Sequence, residues 1–215
     1  MTQMPFDLPT DLEPATALSR ELAGAEVGGL DEAGRGPLAG PVVAACVVLG
    51  EEIAGLNDSK KLSEKKREAL YEIIYDKALA VGVGVAEAEE IDDKNILNAS
   101  LDAMCTAFLA AEHALGHQVK GAIVDGDKRA PLPERVRQRT VIGGDRICPA
   151  VMAASIVAKV TRDRRMKEEA LRYPGYGFEK HKGYPTKAHR EALMKLGPTP
   201  IHRYSFAPVR LAAGK

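Results

Sequence analysis

Two valine-rich runs, Val27–Leu30 and Val42–Leu49, flank the segment Asp31-Glu32-Ala33-Gly34-Arg35-Gly36-Pro37-Leu38-Ala39-Gly40-Pro41. Three glycines and two prolines oppose a helix there, so the pattern predicts two strands joined by a tight connection. Leu79–Ala86, Ala122–Asp125 and Arg139–Ile142 read as three further strands. Between them the period becomes helical. Ser63 caps a helix through about Lys77, with Leu70, Ile73, Ile74 and Lys77 at helical spacing. A longer helix runs from about Ile96 to Leu115, with Leu97, Leu101, Met104, Phe108 and Leu109 on its buried face. Asp92 and Asp93 precede it. From Pro149 a third helix has Val151, Ala154, Ile156, Val157 and Val160 inside, and Thr186 caps a fourth that ends at Leu196. Residues 1–22 hold three prolines and four acids with no sustained apolar period, which predicts a flexible arm. No linker divides the remainder, so 23–210 is expected to be one domain, with a helical part at about 165–210.

Composition narrows this picture. The chain has 215 residues with 4 Phe, 6 Tyr and no Trp, so its core must rest on Val, Ile, Leu and Ala. Cys46, Cys105 and Cys148 are odd in number and widely spaced, which fits neither a disulfide framework nor a C-x-x-C metal pattern. A reducing cytoplasm fits. The N-terminus lacks the basic-then-apolar pattern of a signal peptide, and Val42–Leu49 is far too short to cross a bilayer. Net charge is zero but uneven. Residues 145–215 carry 15 Lys and Arg against 6 Asp and Glu, whereas 1–50 carry 2 against 7. The basic final third points either to a polyanion partner or to solvated helix surface.

Three apolar runs end in a carboxylate beside glycine: Leu30-Asp31-Glu32, Val124-Asp125-Gly126-Asp127, and Ile142-Gly143-Gly144-Asp145. A lone acid at a strand end is usually a turn residue. Open sheets bind ligands at strand ends, however, and convergence of several acids there is what a site for two metal ions needs. Neighbouring strand residues face opposite ways, so Asp31 and Glu32 share a site only if the strand ends or twists. The bare backbone and fork of Gly34-Arg35-Gly36 suit a phosphate or sugar, and carboxylates beside a phosphate call for Mg²⁺ or Mn²⁺. Lys60 and Lys61 precede a helix where a phosphate could bind. Ser155, Lys159 and Asp163 share one helix face, as an i,i+4 pair or as part of a site. Between Tyr173 and Thr186 aromatics alternate with Lys180, His181 and Lys182, a mixture that stacks on sugars and holds phosphates. Gly34-x-Gly36-x-x-Ala39 fits a dinucleotide fingerprint, but a strand rather than a helix follows it, and no Walker loop is present.

Seven blocks carry a resemblance. They are Asp31 to Pro41, Asn57-Asp-Ser-Lys-Lys-Leu62, Val124-Asp-Gly126, Ala153 to Asp163, Tyr176-Gly-Phe178, His181-Lys-Gly-Tyr-Pro-Thr186 and His202-Arg-Tyr-Ser-Phe206. In register from about residue 25 to 209, they resemble bacterial ribonuclease HII, of the type 2 ribonuclease H family. The resemblance implies an α/β ribonuclease H-like fold: a mixed five-stranded sheet, three antiparallel strands then two parallel, flanked by helices. It also implies an endonuclease, expected as a monomer, that acts on RNA–DNA hybrids and on single ribonucleotides in duplex DNA. Asp31, Glu32, Asp125 and Asp145 map onto the family's catalytic, metal-holding acids. Gly34, Arg35 and Gly36 are expected to read the ribose 2′-OH and Tyr184 to stack on the sugar. Lys60, Ser155, Lys159 and Lys182 complete the expected substrate contacts. A non-catalytic nucleic-acid binder and a nucleotide-cofactor oxidoreductase are the competing readings.

Overall fold

The computed structural model describes residues 14–22 and 24–214. Its centre is a five-stranded sheet built from β1 (Val27–Ala33), β2 (Val42–Leu49), β3 (Ala78–Ala86), β4 (Gly121–Asp125) and β5 (Arg137–Val141) in the order β3-β2-β1-β4-β5. β1–β2 and β2–β3 are antiparallel, and β1–β4 and β4–β5 are parallel. This is the mixed sheet that the resemblance implies. β2 is buried along almost its whole length because helices cover both faces, which explains its unbroken Val/Ala/Cys run.

On one face α4 (Ile96–Leu115) packs through Ala99, Ala103, Met104, Ala107 and Phe108. On the other lie α2 (Glu64–Lys77), contributing Leu70 and Ile74, and α5 (Pro149–Arg172), contributing Ala153, Ala154, Ile156, Val157 and Val160. The sequence reading of α4 needs one correction: Leu109 faces solvent. Its place is taken by alanines because α4 rests directly on β3. A Cβ on Gly82 would stand 2.1 Å from the Ala107 carbonyl oxygen, and one on Gly84 would stand 2.0 Å from that of Ala103. Only a side chain as small as Ala fits between these backbones.

Other differences are local. Asp92 and Asp93 do not merely precede a helix; they lie inside α3 (Ala88–Lys94), whose polar sequence hides its period. β5 starts two residues earlier than its apolar end suggests, as a polar edge strand whose Arg137 and Arg139 pair with Glu21. Of the expected flexible arm, residues 1–13 lie outside the described residues. Pro14–Glu21 is helix α1, with Leu18 buried against Val27, Ile123 and Val151. The C-terminal part adds α6 (Phe178–His181), α7 (Lys187–Leu196, capped by Thr186) and α8 (Ala207–Ala212). Leu38 and Ala39 of the β1–β2 connection are buried among residues of these last elements. No helix among the described residues is long and apolar enough to cross a membrane.

Gly84→Ala is expected to destabilise the fold by about 1–3 kcal/mol through overpacking against the α4 backbone. Urea unfolding should show a lowered midpoint with an unchanged slope; a wild-type midpoint would contradict the close approach.

Candidate active site

Parallel pairing assembles the acids. β1 and β4 align Leu30 with Val124, where their pairing ends, so the next residues along, Asp31 within β1 and Asp125 at the end of β4, lie side by side. Gly29, on the Asp31 face of β1, packs on Ala150 of α5, while Gly28 and Leu30 pack on the α4 side. Asp31 thus faces α5, where Ser155 supplies a hydrogen bond, and its Oδ1 accepts the Glu32 amide at 2.7 Å. Glu32 turns to the other side, lining a small pocket with Arg35, Ser100, Asp125, Asp127 and Lys128. The two acids therefore straddle the strand end, with Asp125 felt by both. Asp145 sits in a short 3-10 turn, Gly144–Arg146, at the entrance to α5.

Electrostatics ties the four together. Burial, then the charges of Glu32 and Asp125, hold Asp31 well above the ordinary carboxylate range. Burial raises Glu32 as well; Arg35, 3.5 Å away, opposes this and Asp125 adds to it. Asp125 is raised by burial and then by Asp145. Lys60 adds a counter-charge, with its Nζ 3.1 Å from Asp145 Oδ2, and Arg146 Nε lies 3.8 Å from Asp145 Oδ1. Burial opposes the Lys60 charge, yet the Asp145 bond and the Asp145 and Asp31 charges keep its pKa above the ordinary lysine value. Its loop is fixed by Asp58, whose carboxylate accepts the Lys60 amide at 2.9 Å, and by the 2.9 Å contact between Ser59 and Ser155.

Beside the acids lies the expected ribose-reading loop. Gly34 has φ +102° and its missing Cβ leaves room for Arg162, whose Nε would be 2.1 Å from such an atom. Arg35 and Gly36 are exposed, and the Tyr184 ring lies next to Gly36. Two expected substrate contacts are otherwise engaged. Lys159 Nζ holds both oxygens of Asp163, at 2.6 and 2.7 Å, so the i,i+4 pair forms. Lys182 is buried, with its Nζ on the Glu179 carbonyl. Two side chains that the sequence reading did not single out, Arg162 and Arg203, lie fully buried under the loop. In sequence they look like any surface arginine of a basic segment.

Comparison with known proteins places the chain in a family. A profile described as ribonuclease HII matches residues 28–209. The chain belongs to the ribonuclease HII family. It is 53% identical over 186 residues to the ribonuclease HII of Bacillus licheniformis, spanning 86% of this chain and 70% of that one. Its fold is similar to that of ribonuclease H2 from Pyrococcus horikoshii OT3, with a TM-score of 0.73 and 26% identity over 88% of this chain and 97% of the other. The ribonuclease HII of Archaeoglobus fulgidus, solved in complex with PCNA, matches with a TM-score of 0.68 and 28% identity, over 83% of this chain and 93% of that one. A ribonuclease HII is a ribonuclease H, a metal-dependent endonuclease that hydrolyses the RNA of RNA–DNA hybrids.

The acid group fits such an ion. Among the described residues no three His, Cys, Asp or Glu side chains already enclose one. Yet Asp125 Oδ1 is buried without a hydrogen-bond partner, and Asp31 is buried against two like charges. Oxygen-only donors of this kind suit a hard divalent cation. Asp31→Asn should therefore leave the metal-free protein at least as heat-stable as wild type, since it removes a buried repulsion. Mg²⁺ or Mn²⁺ should raise the wild-type Tm and leave that of the variant almost unmoved. An equal metal shift in both would remove Asp31 from the metal set.

Tyr184 is held from behind by histidines. The Thr199 amide donates to His202 Nδ1 at 2.9 Å, so His202 Nε2 carries the hydrogen and donates to His189 Nε2 at 3.1 Å. His189 Nδ1 in turn donates to the Tyr184 carbonyl at 3.0 Å. Burial, with His189 second, pushes His202 down to about 4. Its folded pKa lies below the unfolded value of 6.5, so the unfolded chain binds more protons in between. The His202 contribution to stability is present above pH 6.5 and lost as pH falls toward about 4. Urea midpoints should decline more steeply over that window in wild type than in His202→Gln; parallel profiles would exclude the effect.

Proposed function

We propose that this endonuclease cuts on the 5′ side of single ribonucleotides embedded in duplex DNA as well as within longer hybrids, and that it reads the ribose through the Gly34–Gly36 loop. The observation that carries the reading is the juxtaposition of that loop and the Tyr184 ring with four acids, of which Asp31 and Asp125 directly follow the last paired residues of two adjacent parallel strands. Asp31, Glu32, Asp125 and Asp145 would hold two Mg²⁺ or Mn²⁺ ions, which supply an activated water for in-line attack and stabilise the departing 3′-oxygen, leaving 3′-hydroxyl and 5′-phosphate ends. The chain's own groups do the selecting. The exposed Arg35 and Gly36 backbone donates to the 2′-OH, the group that separates RNA from DNA at a given site. Tyr184, about two-fifths exposed, stacks on the neighbouring sugar. Lys60, which bonds Asp145 at 3.1 Å, would be free to hold a phosphate with a cation on that acid. We place the catalytic unit at 23–210, with 165–210 as its substrate-facing part. The burial of Leu38 and Ala39 against the C-terminal elements supports treating these as one unit. All of the proposed groups come from one chain, so the reading needs no second copy.

A labelled DNA duplex with one ribonucleotide, incubated with Mg²⁺ or Mn²⁺, tests this. The expected result is a single cut 5′ to the ribonucleotide, lost with excess chelator and absent from an all-DNA duplex. Binding without cutting would favour a non-catalytic binder. Arg35→Ala should lower kcat/KM by about tenfold, the scale of one charge-assisted contact, while the metal-induced Tm shift persists. Unchanged kinetics would remove the Arg35 side chain, though not its backbone amide, from substrate handling.

A further inference from the structure

In the loop expected to face the nucleic acid, an isolated antiparallel bridge joins Ala39 to His202, and two buried guanidiniums hold the carbonyls on either side of it. Arg203 Nε and Nη2 donate to the Gly40 carbonyl at 3.0 and 2.8 Å, Nη2 also to that of Gly34 at 2.6 Å, and Nη1 to that of Arg35 at 3.0 Å. Arg162 Nε donates to the Pro41 carbonyl at 2.9 Å and Nη2 to that of Ala39 at 3.2 Å. Five carbonyls between residues 34 and 41 thus converge on two side chains that solvent barely reaches. Neither arginine forms an ion pair with a carboxylate among the described residues. Burial pulls them down to about 10 and about 9, for Arg162 and Arg203 respectively, which leaves both charged at neutral pH. Two desolvated cations side by side are costly, and hydrogen bonds to several carbonyl dipoles are the compensation available.

The arrangement has a directional consequence. No cis peptide occurs among the described residues, and in a trans peptide the N–H points opposite the C=O. The Gly34 carbonyl belongs to the same peptide unit as the Arg35 amide, and the Arg35 carbonyl to the same unit as the Gly36 amide. With both carbonyls drawn inward onto Arg203, both amides turn outward, on the two residues of the loop that are exposed. Arg203 is itself anchored. Its amide bonds to the Leu38 carbonyl at 2.9 Å, its guanidinium lies on the Phe206 ring, and Asp92 in α3 accepts the next two amides, Tyr204 and Ser205, at 2.7 and 2.8 Å. Arg162 reaches the other side of the loop and also lies 5.7 Å from the centre of the Tyr184 ring.

We propose that Arg203 and Arg162 are positioning residues for 2′-OH recognition: they draw in the carbonyls of residues 34–41 so that the Arg35 and Gly36 amides face the ribose. The inference rests on the ribose-reading role assigned to this loop. A lysine at either place keeps the charge but cannot span several carbonyls at once.

The test measures equilibrium affinity, in chelator so that nothing is cut, for a duplex carrying one ribonucleotide and for the same duplex in all-DNA form. Arg203→Lys and Arg162→Lys are expected to lower the preference for the ribonucleotide by about tenfold, the scale of a lost hydrogen bond, with all-DNA affinity unchanged. A purely structural role would weaken both affinities alike or lower the folded fraction. Phe206→Leu, which leaves the guanidinium in place, is the milder variant should Arg203→Lys not fold, with a smaller loss of preference expected. In wild type, hydrogen exchange at the Arg35 and Gly36 amides should be slowed by the ribonucleotide duplex and not by all-DNA. Variants that keep the full preference, or amides protected equally by both duplexes, overturn the inference. A wild type with no preference at all would instead remove the ribose-reading role beneath it.

Discussion

Repulsion among desolvated carboxylates is the constraint around which this molecule is built. Asp31 and Asp125 are forced together by the β1–β4 register, and Glu32 and Asp145 lie near enough to raise their neighbours further. Such a group opposes folding unless counter-charge is at hand. One lysine, Lys60, bonds Asp145, leaving Asp125 Oδ1 buried and unpaired. The sheet must therefore be rigid enough to hold the acids in place against that repulsion. Alanine-on-glycine packing of α4 against β3, and the same closeness of α5 to β1 at Gly29, provide that rigidity.

Rigidity of the β1–β2 connection is obtained differently. A segment with three glycines has little intrinsic preference for one conformation, and its only strand-like pairing among the described residues is the isolated Ala39–His202 bridge. Here the fixing groups come from far along the chain, Arg162 on α5 and Arg203 after α7. Loop and C-terminal elements consequently share a core, with Ala39 against Met166 and Phe178, and Leu38 against Leu193 and Val209. Asp31, Glu32 and the loop are one sequence segment, and α5 supports both, through Ala150 under Gly29 and Arg162 under the loop, with Arg203 added from the C-terminal part.

These supports explain what could be read from sequence. The strands, and the helices α2, α4, α5 and α7, follow from apolar period and capping, because burial on one face leaves a periodic trace. α3 leaves none, since its outward face is Glu and Asp and its inward one is only Ala88 and Ile91. Leu109 was expected inside because leucine outranks alanine in hydrophobicity; the bare glycines of β3 reverse that order. The acids were legible through the repeated pattern of an apolar run, a carboxylate and a glycine. Arg162 and Arg203 were not, because an arginine bonded to main-chain carbonyls has no partner residue type to betray it. Ser155 and Lys159, on one helix face, part ways in space: one meets Ser59, the other Asp163.

The basic final third is where charge counting misleads most. Its surplus suggests an open cationic face, but much of it is engaged within the fold. Arg164 meets Glu68 and Glu72, Lys167 meets Glu64, and Arg165 and Arg172 share Glu169. Arg162, Arg203 and Lys182 point their charges at carbonyls. Carbonyl dipoles stabilise a guanidinium without cancelling its net charge, unlike a carboxylate partner. The positive charge under the Gly34–Gly36 loop therefore remains available as a field, screened little because water is excluded from it. The same two buried cations thus shape the loop through its carbonyls and set positive charge against the negative charge of the neighbouring acids.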